Sequence, residues 1–271
     1  MRGHRCIRGL ATLGMALAIS LPALAGRTCE VTRATPASME AGLRLAQRTH
    51  EALEAAHAKD GTQVVLLARA GQDLSKYGLR YSHLGIAYRT QMPQGQPAWR
   101  VLHKLNDCGA AVAAIYRQGL GEFFLDDLWR YEAAWVVPTP DVQGRLAALL
   151  QDDARAVRLH HRPYSIVSYA WGTRYQQSNQ WAAETLAAAM EPGIANREAA
   201  QAWLRFKGYE PTTLRLGPLT RLGGRATAAN VAFDDHPNEQ RFSDRIQTVT
   251  VDSMFAWMQR AGLGGTPVVL R

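Results

Sequence analysis

The sequence predicts an α+β fold, a small antiparallel sheet packed by helices, and three observations carry that expectation. Apolar residues recur at helical spacing soon after the chain's first thirty residues. The period then changes to alternation in three successive runs, and helical stripes return in the second half without a repeating strand–helix unit. Neither internal repeats nor low-complexity tracts interrupt this order, so residues 26–271 read as one globular domain.

The elements follow in chain order. Residues 37–58 form an expected helix, with Met39, Leu43, Ala46 and Leu53 on one stripe. Residues 62–69 are a β-branched apolar run, 81–89 a second strand, and 99–105 a third, reached through a Pro/Gly/Gln turn at 92–97. Residues 109–128 read as mostly helical, 131–137 as a strand closed by Pro138 and Pro140, and 141–150 as a short helix. Beyond a basic loop at His160, His161 and Arg162, expected to be solvated, come residues 166–169 and then a polar segment. Helices follow at 179–190 and at 197–206, the latter stopped by Gly208. Strands at 230–233 and 246–251 and a helix at 253–260 complete the pattern.

The first residues predict export. Arg2, Arg5 and Arg8 precede an apolar stretch from 10 to 21, and Ala23-Leu24-Ala25 offers a small-residue cleavage site. A signal peptide over 1–25 is therefore expected, with a periplasmic or secreted mature chain. Arg27 beside Cys29 argues against lipid attachment, and no later segment is apolar for long enough to span a bilayer. Three of the 31 basic residues leave with the leader, so 28 face 23 acidic residues. The excess is mild and scattered, which fits contact with anionic envelope surfaces better than a nucleic-acid stripe. Cys29 and Cys108 are the two cysteines of the mature chain, and in an oxidising compartment a disulfide between them is expected. The competing reading is a reactive thiol at Cys108.

Two constellations could carry chemistry. In the strand at 81–89, alternation puts Ser82, Leu84, Ile86 and Tyr88 on one face and His83, Gly85 and Ala87 on the other. Gly85 and Ala87 flatten that second face, as close approach by a helix end would require. His103 shares a face of the next strand with Trp99, Val101 and Leu105. The second constellation is Gln177-Ser178-Asn179-Gln180-Trp181, where Ser178 stands at an expected helix N-cap. That position also offers a nucleophile the positive end of the helix and backbone N–H groups for an oxyanion. Asp234-Asp235-His236 lacks a second spaced ligand pair, so neither metal nor cofactor is expected. Asp126-Asp127 read as a helix-end cap, and no phosphate-binding loop is present.

The order of a strand histidine, a polar residue on the next strand and a reactive residue opening an apolar helix resembles the circularly permuted papain-like fold. That group includes bacterial cell-wall amidopeptidase relatives and lecithin retinol acyltransferase. The resemblance implies His83 as base, His103 as orienter and Ser178 as nucleophile, with serine in place of the family's cysteine. It implies an amide or ester hydrolase or acyltransferase acting on envelope material such as peptidoglycan peptide. A serine hydroxyl needs a general base during attack, so the alternative is a catalytically inactive envelope binding module using the same cleft. Over nearly its full length the chain also resembles an uncharacterised secreted bacterial family, DUF2145, through residues 71–89, 119–133 and 173–184.

Overall fold

The computed structural model describes residues 34–271. The expected signal peptide, its cleavage site and Cys29, hence one end of the expected Cys29–Cys108 bridge, lie outside the described residues.

Helix α1 (Pro36–Asp60) starts at a capping box, in which Thr35 Oγ1 accepts from Ser38 N at 3.1 Å and Ser38 Oγ from Thr35 N at 2.9 Å. Gly61 ends it in the left-handed conformation. There follow β1 (Val64–Ala70), β2 (His83–Gln91), β3 (Pro97–Asn106), β4 (Ala113–Gly119), α2 (Leu120–Phe124) and β5 (Arg130–Val136). Next come α3 (Pro140–Leu150), α4 (Asp153–Val157), α5 (Ser178–Met190) and α6 (Arg197–Phe206). A small lobe contains β6 (Thr212–Arg215), α7 (Pro218–Thr227), α8 (Asn238–Arg241) and β7 (Arg245–Thr248). Helix α9 (Val251–Arg260) and β8 (Val268–Leu270) close the chain.

Six strands form an antiparallel sheet in the order β4-β3-β2-β1-β5-β8. Every residue of the central β1 is buried, because both faces of the sheet are covered. On one face α1 and α2 pack Leu45, Leu53 and Phe123 against Val65, Leu67, Ala87 and Val101. On the other, α3, α5, α6 and α9 bring Leu146, Trp181, Leu186, Leu204 and Trp257 against Val64, Leu66, Leu84, Ile86 and Leu102. Helix α5 lies so deep that even its polar first turn is buried. A third cluster (Val167, Leu214, Leu216, Val231, Phe233 and Ile246) lies under the β6–β7 pair.

The α+β class and the helix-packed antiparallel sheet agree with expectation; several elements do not. Residues 113–119 form a strand because β3 offers a full ladder from Arg100–Gly119 to Asn106–Ala113, and that pairing overrides the helical preference of an alanine-rich run. Residues 230–233 are a loop rather than a strand, and residues 166–169 are a loop as well. Around 166–169, backbone groups bond elsewhere: Tyr169 N to Asp235 Oδ2 at 2.8 Å, and Tyr169 O to Gln180 Nε2 at 3.1 Å. The strand expected at 246–251 ends at Thr248, because Thr250 caps α9.

Gly85 is a packing requirement. A β-carbon there would sit 2.5 Å from Val101 Cγ1 and 3.2 Å from His103 Cβ. The flattened face expected to receive a helix end is thus filled by side chains of the neighbouring strand. Gly85→Ala should destabilise the fold by about 1–3 kcal/mol in urea unfolding, because a buried, β-branched valine has no room to yield. A neutral result would contradict this packing.

Candidate functional site

Alternation along β2 and β3 turns His83 and His103 toward α2, with no side chain at Gly85 to separate them. Their rings meet at 2.8 Å between His83 Nε2 and His103 Nδ1. His103 Nε2 lies 2.8 Å from Gln118 Oε1 on β4. An amide oxygen only accepts, so His103 carries its proton on Nε2 and receives the His83 proton at Nδ1. The Phe123 ring stands edge-on to His103, and the Arg69 guanidinium lies 4.7 Å from the Phe123 centroid while pairing with Asp126. Burial, reinforced by the nearby Arg69 charge, pushes His83 well below the usual imidazole range and His103 down to about 4. At neutral pH this is an uncharged, hydrogen-bonded pair.

Ser178 stands at the start of α5. The N-cap of α5 is Gln177, whose Oε1 accepts from Asn179 N at 2.8 Å, so Ser178 is the first helical residue rather than the cap. Burial pushes the Tyr164 hydroxyl up to about 12, and the Ser178 side chain acts on it in the opposite sense. Asn179 Oδ1 accepts from Leu84 N at 2.9 Å, fixing the start of α5 against β2 on the Leu84 and Ile86 side. The His83 ring points through the opposite face, toward Phe123. The structure therefore joins His83 to His103, as expected of a base and its orienter, but forms no hydrogen bond between Ser178 and His83.

A buried polar cluster that sequence reasoning missed lies behind α5. Glu184 accepts from Arg197 Nε at 2.8 Å and from Gln201 Nε2 at 2.8 Å, with Gln176 Nε2 a third donor. Lys104 Nζ donates to His161 O at 2.6 Å and to Gln176 Oε1 at 2.8 Å. Burial first, then the Arg197 charge, draws Lys104 down to about 6. The available signal was Glu184 as the one charged residue of α5, together with Lys104 on the same strand face as Leu102.

The remaining candidates are structural. Asp235 pairs with His236 at 2.9 Å and holds the Tyr169 backbone; no group of three metal-ligating side chains occurs among the described residues. His160 and His161 are half-buried rather than solvated, since His161 N donates to Gln176 Oε1 at 2.9 Å. Asp126 pairs with Arg69 instead of capping a helix. Away from the histidines, a groove of about 610 Å³ opens between α1 and the β5–β8 edge, with Ala52, Ala55, Trp135, Val137, Val268 and Leu270 among its walls.

A family model described as an uncharacterized protein conserved in bacteria (DUF2145) matches residues 56–258. No curated protein and no solved structure matches the chain, so the papain-like likeness stays a resemblance of sequence pattern.

The neutral pair makes stability depend on pH. Below about 6.5 the unfolded chain protonates these histidines while the fold holds them neutral, so their contribution is full above that pH and is lost as pH falls toward about 4. Lys104 gives a slope of the same sign only above about 6, and half-buried His160, down to about 4, adds to the lower window. Between about pH 6 and 5, His103→Gln should therefore lose about 1.4 kcal/mol per pH unit of the stability slope, read from denaturant midpoints. An unchanged slope would mean that His103 is charged in the fold.

Proposed function

The chain belongs to this uncharacterised bacterial family, and we propose that it is an exported envelope protein that holds a peptide or acyl ligand without turning it over. The observation that carries this reading is that no hydrogen bond joins Ser178 to His83, whose Nε2 is bonded to His103. A serine nucleophile needs a base within hydrogen-bond reach, about 2.6–3.2 Å, and the Tyr164 phenol that Ser178 influences is one whose burial opposes ionisation.

The groove beside β8 supports the binding half of the proposal. β8 is the last strand in the sheet order, and Val268 and Val269 are each 44 % exposed. An extended peptide laid along this edge gains backbone hydrogen bonds, while alternate side chains enter the apolar groove. Ala52, Ala55 and Ala56 of α1 leave room for them. Peptidoglycan stem peptide suits the proposed compartment; an acyl chain suits the same walls.

Calorimetric titration with a peptidoglycan stem peptide and with a medium-chain acyl ester tests this. Ala55→Trp, at an exposed position that narrows the groove, should weaken binding about tenfold or more, whereas Ser178→Ala should leave affinity unchanged. Turnover of either compound, or labelling of Ser178 by a fluorophosphonate, would overturn the reading. For export, the envelope-recovered protein should begin at Gly26 by mass and carry an intact Cys29–Cys108 bridge. An uncleaved amino terminus or free thiols would contradict that part.

A further inference from the structure

The lobe between β6 and β7 wears one helix inside out. The buried residues of α7 are Arg221 and Gly224, whereas Leu219 and Leu222 are 84 % and 67 % exposed. A helix stabilised by water on one side and core on the other has the reverse arrangement. Arg221 is held inward by main-chain carbonyls, donating to Leu216 O at 3.0 Å, Arg241 O at 2.7 Å and Arg245 O at 3.2 Å. Its guanidinium thereby ties α7 to the 240–245 segment, which carries Phe242 at 79 % exposure. Leucines three apart share one side of a helix, so this tied unit offers water three large apolar side chains.

The charges around them identify the partner. Arg215, Arg225, Arg241 and Arg245 are all exposed in the same lobe, and the Arg241 guanidinium lies 5.5 Å from the Phe242 centroid. Asp244, 3.9 Å from Arg245, and exposed Glu239 are the opposing acids. We propose that α7 and the Arg241–Phe242 turn dock this protein on an anionic phospholipid surface. Leu219, Leu222 and Phe242 enter the acyl boundary while the arginines meet lipid phosphates. A second copy seated on this face would bring the same arginines together and repel itself. No described helix is long and apolar enough to cross a membrane.

The test is co-sedimentation of the full mature chain with phosphatidylcholine vesicles, with and without phosphatidylglycerol. Binding is expected only to the phosphatidylglycerol vesicles, and added salt should weaken it. The double variants Leu222→Ser/Phe242→Ser and Arg225→Glu/Arg241→Glu should each lower the bound fraction about tenfold or more at unchanged thermal midpoint. Four results would overturn the proposal: failure of the native chain to bind, equal binding to both vesicles, insensitivity to both double variants, or self-association without lipid that the variants abolish.

Discussion

A sheet covered on both faces has no room for an unpaired charge, and this one carries charged side chains inward on each side. Behind α5, Arg197 and Gln201 satisfy Glu184 from α6, and Gln176 does so from the preceding loop. Arg197 continues to Thr173 O at 2.8 Å and Gly172 O at 3.1 Å. One carboxylate thus joins two helices and a long irregular segment, and Gln176 brings in β3 through Lys104. On the other face Arg69 is paired with Asp126 and stacked on Phe123. Beside that cation two buried imidazoles persist only as neutral groups.

This constraint shapes the proposed function. The start of α5 has what an acyl-transfer site uses, a hydroxyl at a helix N-terminus, but no hydrogen bond joins that hydroxyl to the His83 imidazole. His83 and His103 act as a packed, hydrogen-bonded joint between β2, β3 and β4, with Gln118 as its last member. The apolar groove beside β8 and the inverted helix α7 lie outside both covered faces. They are where the proposed ligand and the proposed lipid surface would meet apolar side chains.

Much of this was legible in the sequence, for a physical reason. Period-two alternation with one small face assigned the residues of β2 to the correct sides, and the same logic put His103 beside His83. What alternation cannot give is which helix covers which face. Gly85 suggested close approach by a helix end, whereas the crowding comes from Val101 on the next strand. Residues 113–119 were misread because an edge strand draws its stability from its neighbour rather than from its own composition. Ser178 was displaced by one as a cap because the longer Gln177 side chain reaches Asn179 N first. Strands β6 and β8 are four and three residues long, too short to leave a period.

The central claim is that His83 donates its Nε2 proton to His103 while its Nδ1 takes no hydrogen bond from Ser178. Long-range proton–nitrogen NMR of the imidazoles reads this directly at neutral pH. The account predicts two neutral rings, both protonated on Nε2, with the His83 proton shifted by its bond to His103 and unaffected by Ser178→Ala. A charged His83, or a His83 ring whose signals move when the Ser178 hydroxyl is removed, would contradict it.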